Sequence, residues 1–205
     1  MVTAAAELIS IDEFLALPDS DDYELIDGVL RPRWADTYEM LKDGVRQERR
    51  VSLDAVWTAG ELHGALWNFN QVAKVGVLFG DGAPVTIFAD RPRYAPRPDG
   101  LFISHARFGA RALQQPTLTV PPELIIEVVS PNDAATAVEG KIQAYLGAGV
   151  DTVWVAYPEH RTVHVFRRAG QFEVLRDGDT LRGDGPLTGL EIPVTSVFPA
   201  RETAG

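Results

Sequence analysis

The chain has 205 residues, 45% of them hydrophobic, and a formal net charge of −10. This length and composition predict a single globular domain over residues 1–205, with its core at about 11–199 and a flexible tail at 200–205. The sequence has no cysteine, so we expect neither a disulfide nor a thiolate metal site. It has no basic leader and no long apolar run, so we expect a cytoplasmic protein with no membrane attachment. Its acidity argues against a protein that coats nucleic acid by bulk attraction.

The N-terminal part predicts a short helix followed by a hairpin. Ser10 and Glu13 have the spacing of a capping box, and Pro18 is expected to end the helix. The stretch "DYELIDGVLRP" predicts two strands joined by an Asp-Gly turn. Residues 34–50 are charged and weakly patterned, which indicates a loop or a poor helix.

Apolar residues recur at roughly helical spacing from about 53 to 74 and predict a longer helix. Gly60 and Gly64 weaken it, each by around 1 kcal/mol relative to alanine. Trp57, Trp67 and Phe69 suit either the core or an interface, and we expect the core.

The remaining elements alternate between strands and one helix. "VGVLFG", "PVTIFA" and "RPDGLFIS" have strand composition, and "PPELIIEVVS" is the continuous β-branched run typical of a strand buried on both faces. A helix follows at about 133–146, with Asn132 as its cap and Gly149 as its terminator.

A second hairpin is expected at 152–168, and "QFEVLRDGDTLR" is expected to continue the sheet. "LTGLEIPVTSVFP" is the last extended segment. This order of elements predicts an α+β or α/β domain, in which a mixed sheet is flanked by a few helices.

Glu127 is an unexpected residue, because it interrupts the most apolar strand of the chain. Burying a carboxylate is costly unless an arginine partner, a raised pKa or a metal ion compensates, and the sequence leaves all three open. Asp99 stands at the start of another strand, and two acids at neighbouring strand ends repel each other. A divalent cation resolves that repulsion, and oxygen ligands favour Mg²⁺ or Mn²⁺.

Lys141 places a positive charge beside the same region. Two carboxylates, one metal ion and one lysine suit water attack on a phosphodiester. Each residue also has a plain structural interpretation: Asp99 as a turn residue, Glu127 as the partner of an arginine, and Lys141 on a solvated helix face. The arginine clusters at 46–50, 91–97 and 107–111 are expected to lie on solvated faces.

The motifs "RPDG" at 97–100, "ELIIEVVSP" at 123–131 and "KIQAYLGAGV" at 141–150 resemble the PD-(D/E)XK nuclease superfamily. With "YELIDG" at 23–28, the chain looks like its bacterial branch of putative restriction endonucleases. The resemblance implies a restriction-endonuclease-like fold with an N-terminal hairpin. The usual superfamily lysine position is Val129 here, and the branch supplies the lysine from the following helix, which fits Lys141.

The resemblance also implies roles for individual residues. Asp99, Glu127 and the carbonyl of Val128 would bind Mg²⁺ or Mn²⁺, Glu24 is a further candidate acid, and Lys141 would position or activate water and stabilise the phosphate.

Three auxiliary positions follow from the same comparison. His63 would touch a phosphate or orient water, although a structural role is preferred for it. Ser130 is expected to cap the next helix, and Tyr145 to pack near Lys141 without reacting.

The function implied by the resemblance is metal-dependent endonucleolytic cleavage of DNA, carried out by a homodimer. The alternative is a nuclease fold kept as a nucleic-acid-binding or regulatory module with weak or no catalysis. A glycosidase with paired carboxylates is remote, because it leaves Lys141 without a use.

Overall fold

The computed structural model describes residues 8–33, 38–40, 46–48, 52–109, 112–131 and 133–200, with the backbone alone at 38–40, 46–48 and 112. The helices are α1 (Ile11–Leu15), α2 (Leu53–Ala73), α3 (Ala135–Gly147) and α4 (Val194–Val197). The first strands are β1 (Tyr23–Ile26), β2 (Val29–Pro32), β3 (Tyr38–Met40), β4 (Arg46–Glu48), β5 (Gly76–Phe79) and β6 (Gly100–Ser104). The later ones are β7 (Leu124–Val128), β8 (Thr152–Tyr157), β9 (Thr162–Arg167), β10 (Phe172–Leu175), β11 (Thr180–Arg182) and β12 (Glu191–Pro193).

A six-stranded sheet with the order β10-β9-β8-β7-β6-β5 forms the centre of the molecule. Its neighbours pair antiparallel except β7 and β8, which are parallel and are connected through α3. A parallel pair needs such a crossover, whereas an antiparallel pair can be joined by a short turn. The predicted mixed sheet flanked by helices is therefore confirmed.

Side-chain alternation along β7 divides the core into two layers. Leu124, Ile126 and Val128 pack in one layer with Leu62 and Leu66 of α2. On the opposite face, Ile125 packs with Ile142 and Tyr145 of α3. Because successive strand residues point to opposite faces, Glu127 lies on the α3 side. The strand is buried on both faces, as its composition predicts.

The N-terminal helix and hairpin form as predicted. Ser10 and Glu13 make both hydrogen bonds of a capping box at the start of α1. Strands β1 and β2 are joined by Asp27 and Gly28, whose φ values of +51° and +84° suit a type I′ turn. Phe14, Leu25 and Ala95 form a small third core that attaches the hairpin to the rest of the domain.

Three expectations about secondary structure are wrong. Within 34–50, the described segments 38–40 and 46–48 pair as antiparallel strands, not as a loop or poor helix. "PVTIFA" makes only an isolated bridge between Val85 and Leu118. At the C-terminus, β11 pairs with β12 in a separate two-stranded sheet, and the last segment continues into α4. Hydrophobic runs alone do not tell which partner strand is available.

The helix α2 agrees closely with its predicted bounds, but its tryptophans do not lie in the core. Trp57 and Trp67 are each 52% exposed, whereas Phe69 is partly buried against the core. Within the described residues, no helix is both long and apolar enough to cross a membrane.

The bounds of α3 differ slightly from the prediction. Ala134 occupies the N-cap position of α3 and makes no side-chain hydrogen bond there, so the expectation that Ser130 caps this helix is wrong. The expected cap Asn132 lies outside the described residues. Gly149 follows the helix with a φ of +102°, as expected of a terminator.

Candidate active site

Two acids lie opposite each other where β6 begins and β7 ends. The antiparallel register pairs Gly100 with Ile126, and extending it by one residue places Asp99 opposite Glu127. The backbone N–H of Val128 donates to Asp99 Oδ2 at 2.6 Å, which holds the Asp99 carboxyl at the end of β7. Like charges directly opposite on neighbouring strands destabilise a sheet, so this pairing needs a compensating cation or a proton.

The helix α3 brings two polar groups onto Glu127 from the same face. Lys141 and Tyr145 are four positions apart, and such residues lie one above the other on a helix. The Lys141 Nζ donates to Glu127 Oε2 at 3.2 Å, and the Tyr145 hydroxyl donates to Glu127 Oε1 at 2.7 Å. The buried carboxylate is thus bound by an ammonium and a hydroxyl, one on each oxygen. None of its hydrogen bonds within the described residues comes from an arginine.

The N-terminal hairpin delivers a third acid. Leu25 exchanges backbone hydrogen bonds with Ala95, which docks β1 beside the segment leading to Asp99. Glu24 Oε1 then accepts from the Lys141 Nζ at 2.9 Å and from the backbone N–H of Arg97 at 2.7 Å. Lys141 therefore bridges Glu24 and Glu127, which are more than one hundred residues apart in the chain.

Two arginines support this region, and sequence reasoning missed both. Arg97 is only 6% exposed, and its guanidinium donates to the carbonyls of Tyr23, Gly82 and Ser20. The expectation of a solvated side chain is wrong for Arg97, because these backbone acceptors exist only after the hairpin has docked. Arg33 carries its positive charge close to Glu24 and Asp99. The adjacency of Arg97 to Asp99 in "RPDG" was the one available signal for Arg97.

Burial and neighbouring charges give the titratable groups of the cluster different protonation states at neutral pH. Burial, and then the neighbouring Glu127 carboxylate, raise the pKa of Asp99 to about 7. Burial also raises the pKa of Glu127, although Lys141 opposes the shift. Burial disfavours the ammonium of Lys141, but Glu127 and Glu24 outweigh that effect and raise its pKa above the ordinary lysine value. Lys141 is therefore a charged group at neutral pH, while Asp99 titrates there.

Aromatic rings close one side of the cluster. Tyr94 is 2% exposed and packs edge-on against Phe88 at 4.7 Å between centroids, and Phe88 lies 6.0 Å from Tyr145. Burial raises the pKa of Tyr94 to about 12 and that of Tyr145 well above its ordinary value. Both phenols therefore stay neutral, and Tyr145 acts as a hydrogen-bond donor to Glu127.

The remaining candidate residues lie around the cluster or outside it. His63 faces Gly80, since a Cβ built on Gly80 would lie 3.7 Å from the His63 ring. His63 makes no hydrogen bond to Glu24, Asp99 or Glu127. Ser130 donates its backbone N–H to Asp133 and has no hydrogen bond to the cluster. The structure thus brings together six of the candidates: Glu24, Asp99, Glu127, Lys141, Tyr145 and, through its backbone N–H, Val128.

The donor chemistry of this cluster suits a hard divalent ion. Its acids are oxygen donors, and burial together with the Glu127 carboxylate raises the pKa of Asp99, a cost of ionisation that a bound cation would relieve. Across the described ranges, no group of three or more His, Cys, Asp or Glu side chains is arranged to hold a metal ion. Glu24 Oε1 is held by both Lys141 and the Arg97 N–H, so the candidate ligands are the two carboxylates that stand opposite each other on the strand ends, those of Asp99 and Glu127.

Residues 11–195 match a family of putative restriction endonucleases named Uma2. The chain belongs to the Uma2 family. This match confirms the resemblance drawn from "YELIDG", "RPDG" and the strand of Glu127. No curated protein matches the chain.

Among solved structures, the chain is similar to a putative nuclease belonging to DUF820 from Anabaena variabilis ATCC 29413. The TM-score is 0.74 at 19% sequence identity, and the superposition covers 93% of this chain and 97% of that one. At this identity the likeness shows a common fold, and the arrangement of side chains must carry any functional conclusion for this Uma2 member.

Proposed function

We propose that this Uma2 protein is a magnesium-dependent endonuclease that hydrolyses phosphodiester bonds in DNA. The observation that carries the proposal is the meeting of Asp99, Glu127 and Lys141 at one end of the central sheet. A strand acid opposite a second acid, with a lysine between helix and sheet, is the set of groups that metal-assisted phosphodiester hydrolysis needs. Membership in a family of putative restriction endonucleases supports the same reaction class.

The metal ligands in this proposal are the Asp99 and Glu127 carboxylates and the backbone carbonyl of Val128. Val128 follows Glu127 directly and its N–H already binds Asp99, so these groups lie together at the end of β7. A bound Mg²⁺ supplies Lewis acidity there: it lowers the pKa of a coordinated water and offsets negative charge on the phosphate.

Lys141 acts as an electrostatic group and not as a general base. Its pKa is raised, so it has no vacant site for a proton at neutral pH. An ammonium has three N–H donors, and Glu24 and Glu127 occupy two of them. The third is available to a phosphate oxygen, and the side chain is 20% exposed, which leaves it within reach of a ligand. Lys141 thus stabilises charge that develops on the phosphate.

Glu24 and Tyr145 are positioning residues. Glu24 is held by the Arg97 N–H and fixes one side of the Lys141 ammonium. The Tyr145 hydroxyl fixes the second oxygen of Glu127. These bonds are made before any substrate arrives, so the groups need little reorganisation when it binds.

The direct test is cleavage of supercoiled plasmid DNA, with linear duplex and single-stranded DNA beside it, in Mg²⁺, in Mn²⁺ and in EDTA. We expect nicking or linearisation with either metal and none in EDTA. Asp99→Asn and Lys141→Gln, purified in the same way, should lose at least a hundredfold in rate, as is usual when a group that stabilises the transition state is removed. Asp90→Asn is the matched control, because it removes the same charge from an exposed turn.

Cleavage of equal rate by Asp99→Asn would show that the active site lies elsewhere or that the activity is a contaminant. DNA binding without cleavage, together with no calorimetric signal for Mg²⁺ or Mn²⁺ at millimolar concentration, would instead support the nuclease fold as a binding or regulatory module.

A further inference from the structure

The helix α2 carries an exposed apolar surface on the side away from the core. Within the described residues, the structure has eight large hydrophobic side chains that are exposed, and five of them belong to α2. They are Leu53, Val56, Trp57, Trp67 and Val72. Contiguous exposure of this kind on a soluble domain marks an interaction site more often than chance.

Four of these residues form one stripe. At 100° per residue, Leu53, Val56, Trp57 and Trp67 fall within about 60° of one direction, whereas Val72 lies about 110° from it and outside the stripe. The residues that α2 buries, Ala55, Thr58, Leu62 and Leu66, lie on the opposite side. The helix is therefore apolar on two faces, and only one of them is used by the fold.

Gly60 and Gly64 lie in the middle of the exposed stripe. A Cβ built on either glycine meets no atom within 4 Å. Glycine destabilises a helix relative to alanine, and no neighbour within the described part of the chain requires a residue without a side chain at these two positions. The close approach of a second helix would require glycine at these positions, because small residues set how near two helices can come.

The tryptophans and glycines of the stripe are placed symmetrically about Leu62, whereas Leu53 and Val56 have Gln71 and Asn68 at the corresponding positions. Trp57 and Trp67 each lie five positions from it, and Gly60 and Gly64 each lie two positions from it. In an antiparallel pair of identical helices with a two-fold axis at that level, Gly60 faces Gly64 of the second copy and Trp57 faces its Trp67. In this arrangement each glycine meets a glycine and each tryptophan meets a tryptophan.

We propose that a second copy of this chain docks on α2, with the two helices antiparallel and crossing at Gly60 and Gly64. The two half-exposed tryptophans and the exposed Leu53 and Val56 side chains would cover roughly 500 Å² per copy, or about 1,000 Å² in all, given that an aromatic side chain buries up to about 250 Å². That area is at the lower end of specific interfaces. The dimer should therefore dissociate on dilution in the micromolar range.

The composition of the helix agrees with this partner. Among the 21 residues of α2, only Asp54 and Glu61 carry a formal charge. Depletion of charge with enrichment of aromatic residues distinguishes the centre of an interface from ordinary surface, and nucleic acid would instead require basic side chains.

Sedimentation velocity and equilibrium of the full chain test the proposal directly. From about 1 to 200 µM, the mass should rise from the 22.4 kDa of the monomer toward twice that value. Trp57→Ala and the double variant Gly60→Ala/Gly64→Ala should each raise the dissociation constant at least tenfold. The glycine variant should at the same time raise the melting temperature measured at low concentration, because alanine favours the helix.

Gly140→Ala is the matched control. Gly140 is an exposed helical glycine of α3, and a Cβ built on it also meets nothing within 4 Å. This variant should raise the melting temperature and leave the dissociation constant unchanged. A wild-type chain that stays at 22.4 kDa up to 200 µM would overturn the proposal, and so would a dimer of unchanged affinity in the double glycine variant.

Discussion

Replacing Asp99 by asparagine should stabilise the protein at alkaline pH while it removes a proposed metal ligand. Asparagine has nearly the same shape, and its amide oxygen can still accept the Val128 N–H that binds Asp99 Oδ2. What it removes is a partly buried carboxylate placed opposite Glu127. Sites arranged for function commonly reduce stability in this way.

The size of the effect follows from the pKa. Burial and the Glu127 carboxylate raise the pKa of Asp99 from 3.8 to about 7. Since one pKa unit corresponds to about 1.4 kcal/mol, ionising this group in the folded protein costs about 4 kcal/mol relative to the unfolded chain. In a domain of this length, recovering most of that amount should raise the melting temperature by roughly 10 °C.

The sign of the pH dependence is fixed by the direction of the shift. Between about pH 4 and pH 7 the folded protein keeps a proton on Asp99 that the unfolded chain has released. The contribution of Asp99 to the free energy of unfolding therefore falls as pH rises through that window. Above about pH 7 the contribution no longer changes with pH. The variant lacks this contribution, so its advantage over the wild type should be near zero at pH 4 and largest from pH 8 upward.

Urea denaturation of both proteins at pH 4, 6 and 8 measures this difference, and Asp90→Asn controls for the loss of one negative charge. Saturating Mg²⁺ should narrow the gap at pH 8, because a bound ion stabilises the wild type alone. An Asp99→Asn protein that is no more stable than the wild type at pH 8, or equally more stable at pH 4 and pH 8, would refute the reasoning.

Two further substitutions test the ion pair at Lys141 and the turn of the hairpin that carries Glu24. Lys141→Met leaves Glu24 and Glu127 without the ammonium that lies 2.9 and 3.2 Å from them, so unfolding in urea should show a loss of about 3–5 kcal/mol at pH 8. The loss should be smaller at pH 5, because the pKa of Glu127, already raised by burial, rises further without the cation and the carboxyl takes up a proton. Gly28→Ala should lower the melting temperature more than Gly170→Ala, since both glycines have a φ of +84° but only the first meets side chains, those of Leu8 and Arg93.

The contrary results are equally specific. An equal stability loss for Lys141→Met at pH 5 and pH 8 would mean that the methylenes of the lysine matter and its charge does not. Equal melting temperatures for the two glycine variants would mean that the turn conformation alone sets the cost at position 28, without the contact to the neighbouring side chains.

Local patterns were sufficient to predict most of the fold. The capping box at Ser10, the Asp27–Gly28 turn and the β-branched run around Glu127 each specify their element through contacts within a few residues. The prediction failed where the partner decides the structure: "PVTIFA" has strand composition but makes a single bridge, and residues 38–40 and 46–48 pair despite weak patterning.

The sequence by itself determined that a carboxylate at 127 lies in a buried strand and that Asp99 stands just before another strand, because composition is a local property of the chain. Only the tertiary structure decided that Lys141 bridges Glu24 and Glu127, that Arg97 is buried, and that Trp57 and Trp67 face outward. The physical reason is that an ion pair and a buried surface each need a second group, and the position of that group depends on how distant segments pack. Periodicity shows that a helix has an apolar face, but not which of two apolar faces its own core will cover.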